Sequence, residues 1–128
     1  MRHGRDLLHL DSAAGLTAGA AVLALAGPLS TLYALPRPLL LGMGAANLAY
    51  GAYSGALARR ARRPRPLLVL LVAANAAWAG LCAAAALRVA GRASAFGLAH
   101  LAGEGAFVGG LAALEWRRRD GLLRAPWL

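Results

Sequence analysis

Lysine is absent from the chain, and five acidic residues stand against fourteen arginines, for a formal charge of +9. Such a charge would suit nucleic acid if it were spread over a face with interleaved aromatics, but these arginines sit at the ends of apolar segments. No nucleic-acid partner is expected, and headgroup contact and membrane topology account for the arginines better. With Ala, Gly, Leu and Arg dominating, the missing lysine reflects GC-rich codon usage and carries no functional meaning. One cysteine, Cys82, lies inside an apolar run, so no intrachain disulfide can form. Charged residues make up only 15%, against 59% apolar residues and a mean hydropathy of +0.55. That balance excludes an ordinary soluble core and points to a single integral membrane domain spanning residues 1–128.

Four apolar runs are present. Each is close to the ~20 residues needed to cross a bilayer, and they fall at about 13–35, 39–58, 67–89 and 94–116. Asp11 or Ser12 offers an N-cap for the first, and Pro28 predicts a kink within it. Residues 13–23 followed by Ala24-Leu25-Ala26 also fit a signal peptide. Asp6 and Asp11 spoil its basic flank, however, and the apolar run continues to Leu35, so an uncleaved helix is expected. Pro36-Arg37-Pro38 forces a tight, extended connection, and Ser94 is an N-cap for the last run.

The arginines are unevenly shared between the two sides of such a bundle. Two at the N-terminus, five between the second and third runs and four in the tail face one side, while Arg37, Arg88 and Arg92 face the other. By the positive-inside rule this predicts an all-α, antiparallel four-transmembrane-helix bundle with both termini cytoplasmic, in a bacterial-type inner membrane.

Within the last run stand His100 and Glu104, spaced i, i+4 so that their side chains can meet. An ionisable group at that depth costs roughly 2.5 kcal/mol or more unless it is paired or hydrated, which makes the pair a functional-site hypothesis. Asn47 and Tyr50 of the second run and Asn75 and Trp78 of the third repeat an amide-and-aromatic pattern at i, i+3, and Ser54 and Cys82 extend it at i+7. Counted at ~1.5 Å per residue, most of these groups fall roughly 10 to 18 Å deep, with Asn75 and Ser54 somewhat deeper. His100, Glu104, Asn47, Tyr50, Asn75 and Trp78 are therefore the candidate ligand-binding or proton-relay residues.

Zinc would want three or four ligands, and only Cys82 joins the pair as an obvious third, so neither a metal nor a cofactor is expected. A haem with two axial histidines would need His100 from two subunits. On a helical wheel Gly105 and Gly109 lie nearly opposite the polar face, and a small-xxx-small face turned to lipid predicts a packing surface for a second copy or a partner membrane protein. Gly51 and Gly55 sit beside the polar residues and suit internal packing. Tyr33 and Trp116 read as interfacial anchors, and Glu115 as paired with an arginine at the rim.

Three functions fit these residues. The leading one is binding or transport of a small, possibly proton-coupled ligand in an apolar pocket with convergent polar groups. The alternatives are an accessory subunit packed against another membrane protein and, ranked last for want of a nucleophile or cofactor signature, an enzyme using the His–Glu pair as acid and base.

Overall fold

Alanine and leucine, among the strongest helix formers, fill the long runs, and the backbone between the breakers is helical throughout. The computed structural model describes residues 2–60 and 63–123, with side chains from Leu7 onward. Arg2, Arg5, Arg62 and Arg124 of the arginine count, and His3, therefore have side chains outside the described residues. The helices are α1 (Arg2–Ala24), α2 (Ala26–Tyr33), α3 (Arg37–Ala58), α4 (Arg65–Val89), α5 (Ala95–Arg117) and α6 (Arg119–Leu122). No strand occurs among the described residues.

Three of these helices are long and apolar enough to cross a membrane: α1 over Leu7–Ala24, α4 and α5. In α3 glycines, Asn47, Ser54 and two tyrosines dilute the apolar run. Large apolar side chains such as Leu70, Leu81, Leu87 and Phe96 point outward, and Asp11, Asn47, Ser54, Asn75 and Glu115 point inward. This arrangement, apolar outside and polar within, is one that hydrocarbon surroundings favour.

Helix α1 starts about eleven residues earlier than expected, so Asp11 and Ser12 are not a cap but lie mid-helix. The cause is tertiary. Nothing in RHGRDLLHL breaks a helix, and Leu7 and Leu8 are buried against Leu57, Leu68, Leu71, Leu111 and Leu122. Ser12 Oγ then donates to the Gly51 carbonyl at 2.8 Å. The expected kink is present, but at Leu25 (φ −108°, ψ 16°), because Pro28 lacks the N–H that would bond the carbonyl of residue 24. Ala34 ends α2 in the left-handed conformation (φ 54°), with Leu35 N donating to the Ser30 carbonyl. Two Pro-Arg-Pro segments start α3 and α4 in the same way, with Pro36 and Pro64 extended and Pro38 and Pro66 in the first turn.

The helices associate as two close pairs, α1 with α3 and α4 with α5, and the pairs meet each other more sparsely. Glycine explains the first pair. A methyl at Gly15 would stand 2.8 Å from the Asn47 carbonyl oxygen, one at Gly19 2.7 Å from that of Gly44, and one at Gly51 2.7 Å from the Leu16 nitrogen. The two backbones thus touch directly. Gly105 and Gly109 do not form the lipid-facing surface predicted for them. Cβ atoms there would meet Cys82 at 3.2 Å and Ala79 at 3.4 Å, so both glycines seat α5 on α4. The helical wheel misplaced them because α5 is flanked on two sides, and the side opposite the polar face is not its outer side.

Polar groups secure both ends of the bundle. Arg63 is buried, and it donates to the carbonyls of Leu57 (2.8 Å) and Ala58 (2.9 Å) at the end of α3 and of Leu122 (2.7 Å) in α6. At the opposite end Ser94 caps α5 as expected, accepting from Gly97 N, and its Oγ also donates to the Leu32 carbonyl at 2.7 Å.

Candidate functional site, a cavity with polar clusters between the helix pairs

Because the two pairs meet sparsely, a cavity of about 330 Å³ remains between them. Small residues of α1 (Ala14, Gly15, Ala18) form one wall, and α5 from Ala99 to Leu111 forms the facing one. Ala99, Gly103 and Phe107 are exposed, so the cavity opens sideways between α1 and α5. An apolar plug closes each end: Leu7, Leu8, Leu57, Leu68 and Leu122 at the end where the chain begins, and Val22, Leu35, Leu40, Met43 and Val89 at the other.

Two polar clusters border this space. The first is built on Glu104. Its Oε1 accepts from Asn47 Nδ2 at 3.2 Å and lies 3.2 Å from His100 Nε2, while Oε2 accepts from Trp78 Nε1 at 2.6 Å and from the Cys82 thiol at 3.7 Å. Donors from α3, α4 and α5 therefore converge on one carboxyl group, as the i, i+4 spacing and the repeated amide-aromatic pattern lead one to expect. The other nitrogen of His100, Nδ1, lies 2.9 Å from the Tyr33 hydroxyl, with the two rings 5.2 Å apart. Tyr33, expected only as an interfacial anchor, is thus also part of the cluster. With Tyr33 O–H donating to Nδ1 and Nε2–H donating to Glu104, the three groups form a continuous hydrogen-bonded chain.

The second cluster lies about three helical turns further along α5. Asn75 Nδ2 donates to Asp11 Oδ2 at 3.1 Å and to Glu115 Oε1 at 2.9 Å. All three residues are buried, Glu115 completely. Asn75 therefore belongs with Asp11 and Glu115 and not with His100. Among the described residues Glu115 has no ion-pair partner; it is fully buried, and Leu122 of α6 is buried at the same end of the bundle. Sequence reasoning missed Asp11 and Glu115 as site residues. The available signal was that Glu115 lies within about 60° of His100 and Glu104 on the helical wheel.

Tyr50 lines the cavity between the clusters, its hydroxyl 3.5 Å from the Ala74 carbonyl and its ring 6.1 Å from that of Trp78. Among the described residues no three His, Cys, Asp or Glu side chains are grouped to hold a metal ion.

The fold and site define an all-helical protein with membrane-length helices around a laterally open, largely apolar cavity bordered by polar clusters. Compared with known protein families, curated proteins and solved structures, the chain matches none.

Proposed function

We propose that the chain is a four-span protein of a bacterial-type inner membrane, both termini cytoplasmic, that binds or carries a small ligand in this cavity. α3 serves as the remaining span, its polar residues turned inward and its glycines against α1. The observation that carries the reading is the convergence of donors from three helices on Glu104, at the wall of a space large enough for a small organic molecule. Such a carboxyl is costly in a bilayer and is found where a pathway or a ligand requires it. The Tyr33–His100–Glu104 chain can hold its protons in more than one arrangement, which is the chemistry that proton coupling requires.

The test is to purify Glu104→Gln and His100→Ala in detergent and to record both folding and the thermal shift produced by a set of small cations, neutral compounds and anions. The expected result is folded protein whose ligand-induced stabilisation is reduced or lost. If both variants keep the full shift, or if no compound stabilises the unmodified protein, the reading fails.

A further inference from the structure

We infer that the ligand of this cavity is an uncharged, lipid-soluble molecule with a hydroxyl group, that it enters from the bilayer between α1 and α5, and that its O–H is donated to the side-chain oxygen of Asn47. The inference rests on the ligand-binding reading above and specifies the ligand's chemical class, its anchor and its route.

Ionisable groups border the cavity, but none of them is left open to a charged ligand. An ionised carboxylate offers about four acceptor positions, and Glu104 already has four partners in Asn47, His100, Trp78 and Cys82. His100 has both ring nitrogens engaged, one with Tyr33 and one with Glu104. Asp11 accepts from Asn75 and is hydrogen-bonded to Glu115, and a bond between two carboxyl groups needs a proton on one of them. Among the described residues no arginine lines the cavity. An ammonium or a carboxylate entering it would lose its water without gaining a free counter-ion, which is costly in an apolar interior.

Asn47 differs from these groups. Its residue is only 5% exposed and lines the cavity. Nδ2 donates to Glu104 at 3.2 Å, and that carboxylate fixes which end of the carboxamide carries the hydrogens. Oδ1, at the other end, accepts no hydrogen bond among the described residues. One turn further along α3, the Tyr50 hydroxyl spends its hydrogen on a long contact of 3.5 Å with the Ala74 carbonyl, and its oxygen too accepts nothing. The wall therefore has acceptors to spare and lacks a neutral donor. A buried amide oxygen without a donor is costly; an O–H satisfies it and brings no charge, whereas an ether or a hydrocarbon cannot.

The route follows from the packing around the cavity. Apolar clusters close both of its ends, so the way in is the sideways opening, whose rim of Ala99, Gly103 and Phe107 is itself apolar. A molecule reaching that slit has already dissolved in the bilayer, where neutral compounds concentrate and ions do not. At about 330 Å³ the space is at the small end of ligand pockets and holds a compact body with one polar head.

Four probes on one skeleton test this: 2-phenylethanol, its methyl ether, phenethylammonium and phenylacetate. Each is titrated into the full-length protein in nanodiscs, with the saturable change in tryptophan fluorescence as the readout and affinities referred to the probe concentration in the lipid, measured on empty discs. The alcohol should bind roughly 10-fold more tightly than the ether, and both ions more weakly than the alcohol by at least as much. Asn47→Leu should bring the alcohol-to-ether ratio to within about twofold of unity. An added Cβ at Gly103 would meet nothing within 4 Å, so Gly103→Trp fills the slit without disturbing the fold. It should slow binding of the alcohol roughly 10-fold or more while the melting temperature holds.

If Asn47→Leu fails to fold, the alcohol-to-ether ratio of the unmodified protein decides alone. Equal affinity for alcohol and ether would overturn the inference and leave the ligand-binding reading intact. So would tighter binding of either ion, a preference for the alcohol that survives in folded Asn47→Leu, or an unchanged rate in Gly103→Trp. Binding of none of the four would remove both.

Discussion

At Glu104 the acceptor positions are filled by donors that the chain itself provides, and the shortest of these contacts is the indole N–H of Trp78 at 2.6 Å. Removing one donor from a buried carboxyl group leaves part of its desolvation uncompensated. Trp78→Phe should therefore cost about 1–2 kcal/mol of stability, and combining it with Glu104→Gln should cost less than the two single changes together. A double-mutant cycle of melting curves in detergent measures that coupling, and strict additivity would mean that the bond contributes nothing. The i, i+4 spacing of His100 and Glu104 made this cluster legible in the sequence, as did Asn47 and Trp78 at matching places in two helices. Asp11 and Glu115 were not legible. Each stands near the start or end of a run, where a carboxylate ordinarily caps a helix or meets an arginine, and only packing could show that α1 begins early and that α6 covers the far end.

Helix α3 depends on Gly51 where α5 depends less on Gly109. A Cβ at Gly51 would collide with the backbone of α1, whereas one at Gly109 would meet only the Ala79 methyl at 3.4 Å. Gly51→Ala should lower the melting temperature by several degrees, at a cost of about 2 kcal/mol or more, while Gly109→Ala should be close to neutral. The reverse order would mean that α1 and α3 are not in backbone contact. At this scale the Ser94 cap could be read directly and the proline-marked starts of α3 and α4 to within two residues, Arg37-Pro38 being the first turn of α3 and not part of an extended connection. The orientation of Gly105 and Gly109 could not, because a wheel drawn for one helix does not say how many neighbours that helix has.

For the whole molecule, the arginine distribution and the helix order together predict where each connection lies. Reporter fusions placed after Arg60 and at the tail should report cytoplasm, and fusions at Ala34 and Gly91 the opposite side. If the Arg60 and Gly91 sites report the same compartment, α4 is not a span and the four-span reading fails.

The two fastenings described above have a mechanical consequence. Arg63 ties α3 to α6 beneath one mouth of the bundle, and Ser94 with Gly97 clasps the end of α2 to the start of α5 at the other. A body hooped at both rims cannot rock open like a pair of jaws. Widening the slit between α1 and α5 must instead come from the staves bowing outward at mid-height, with Leu25, where α1 already yields to α2, as the place that flexes first.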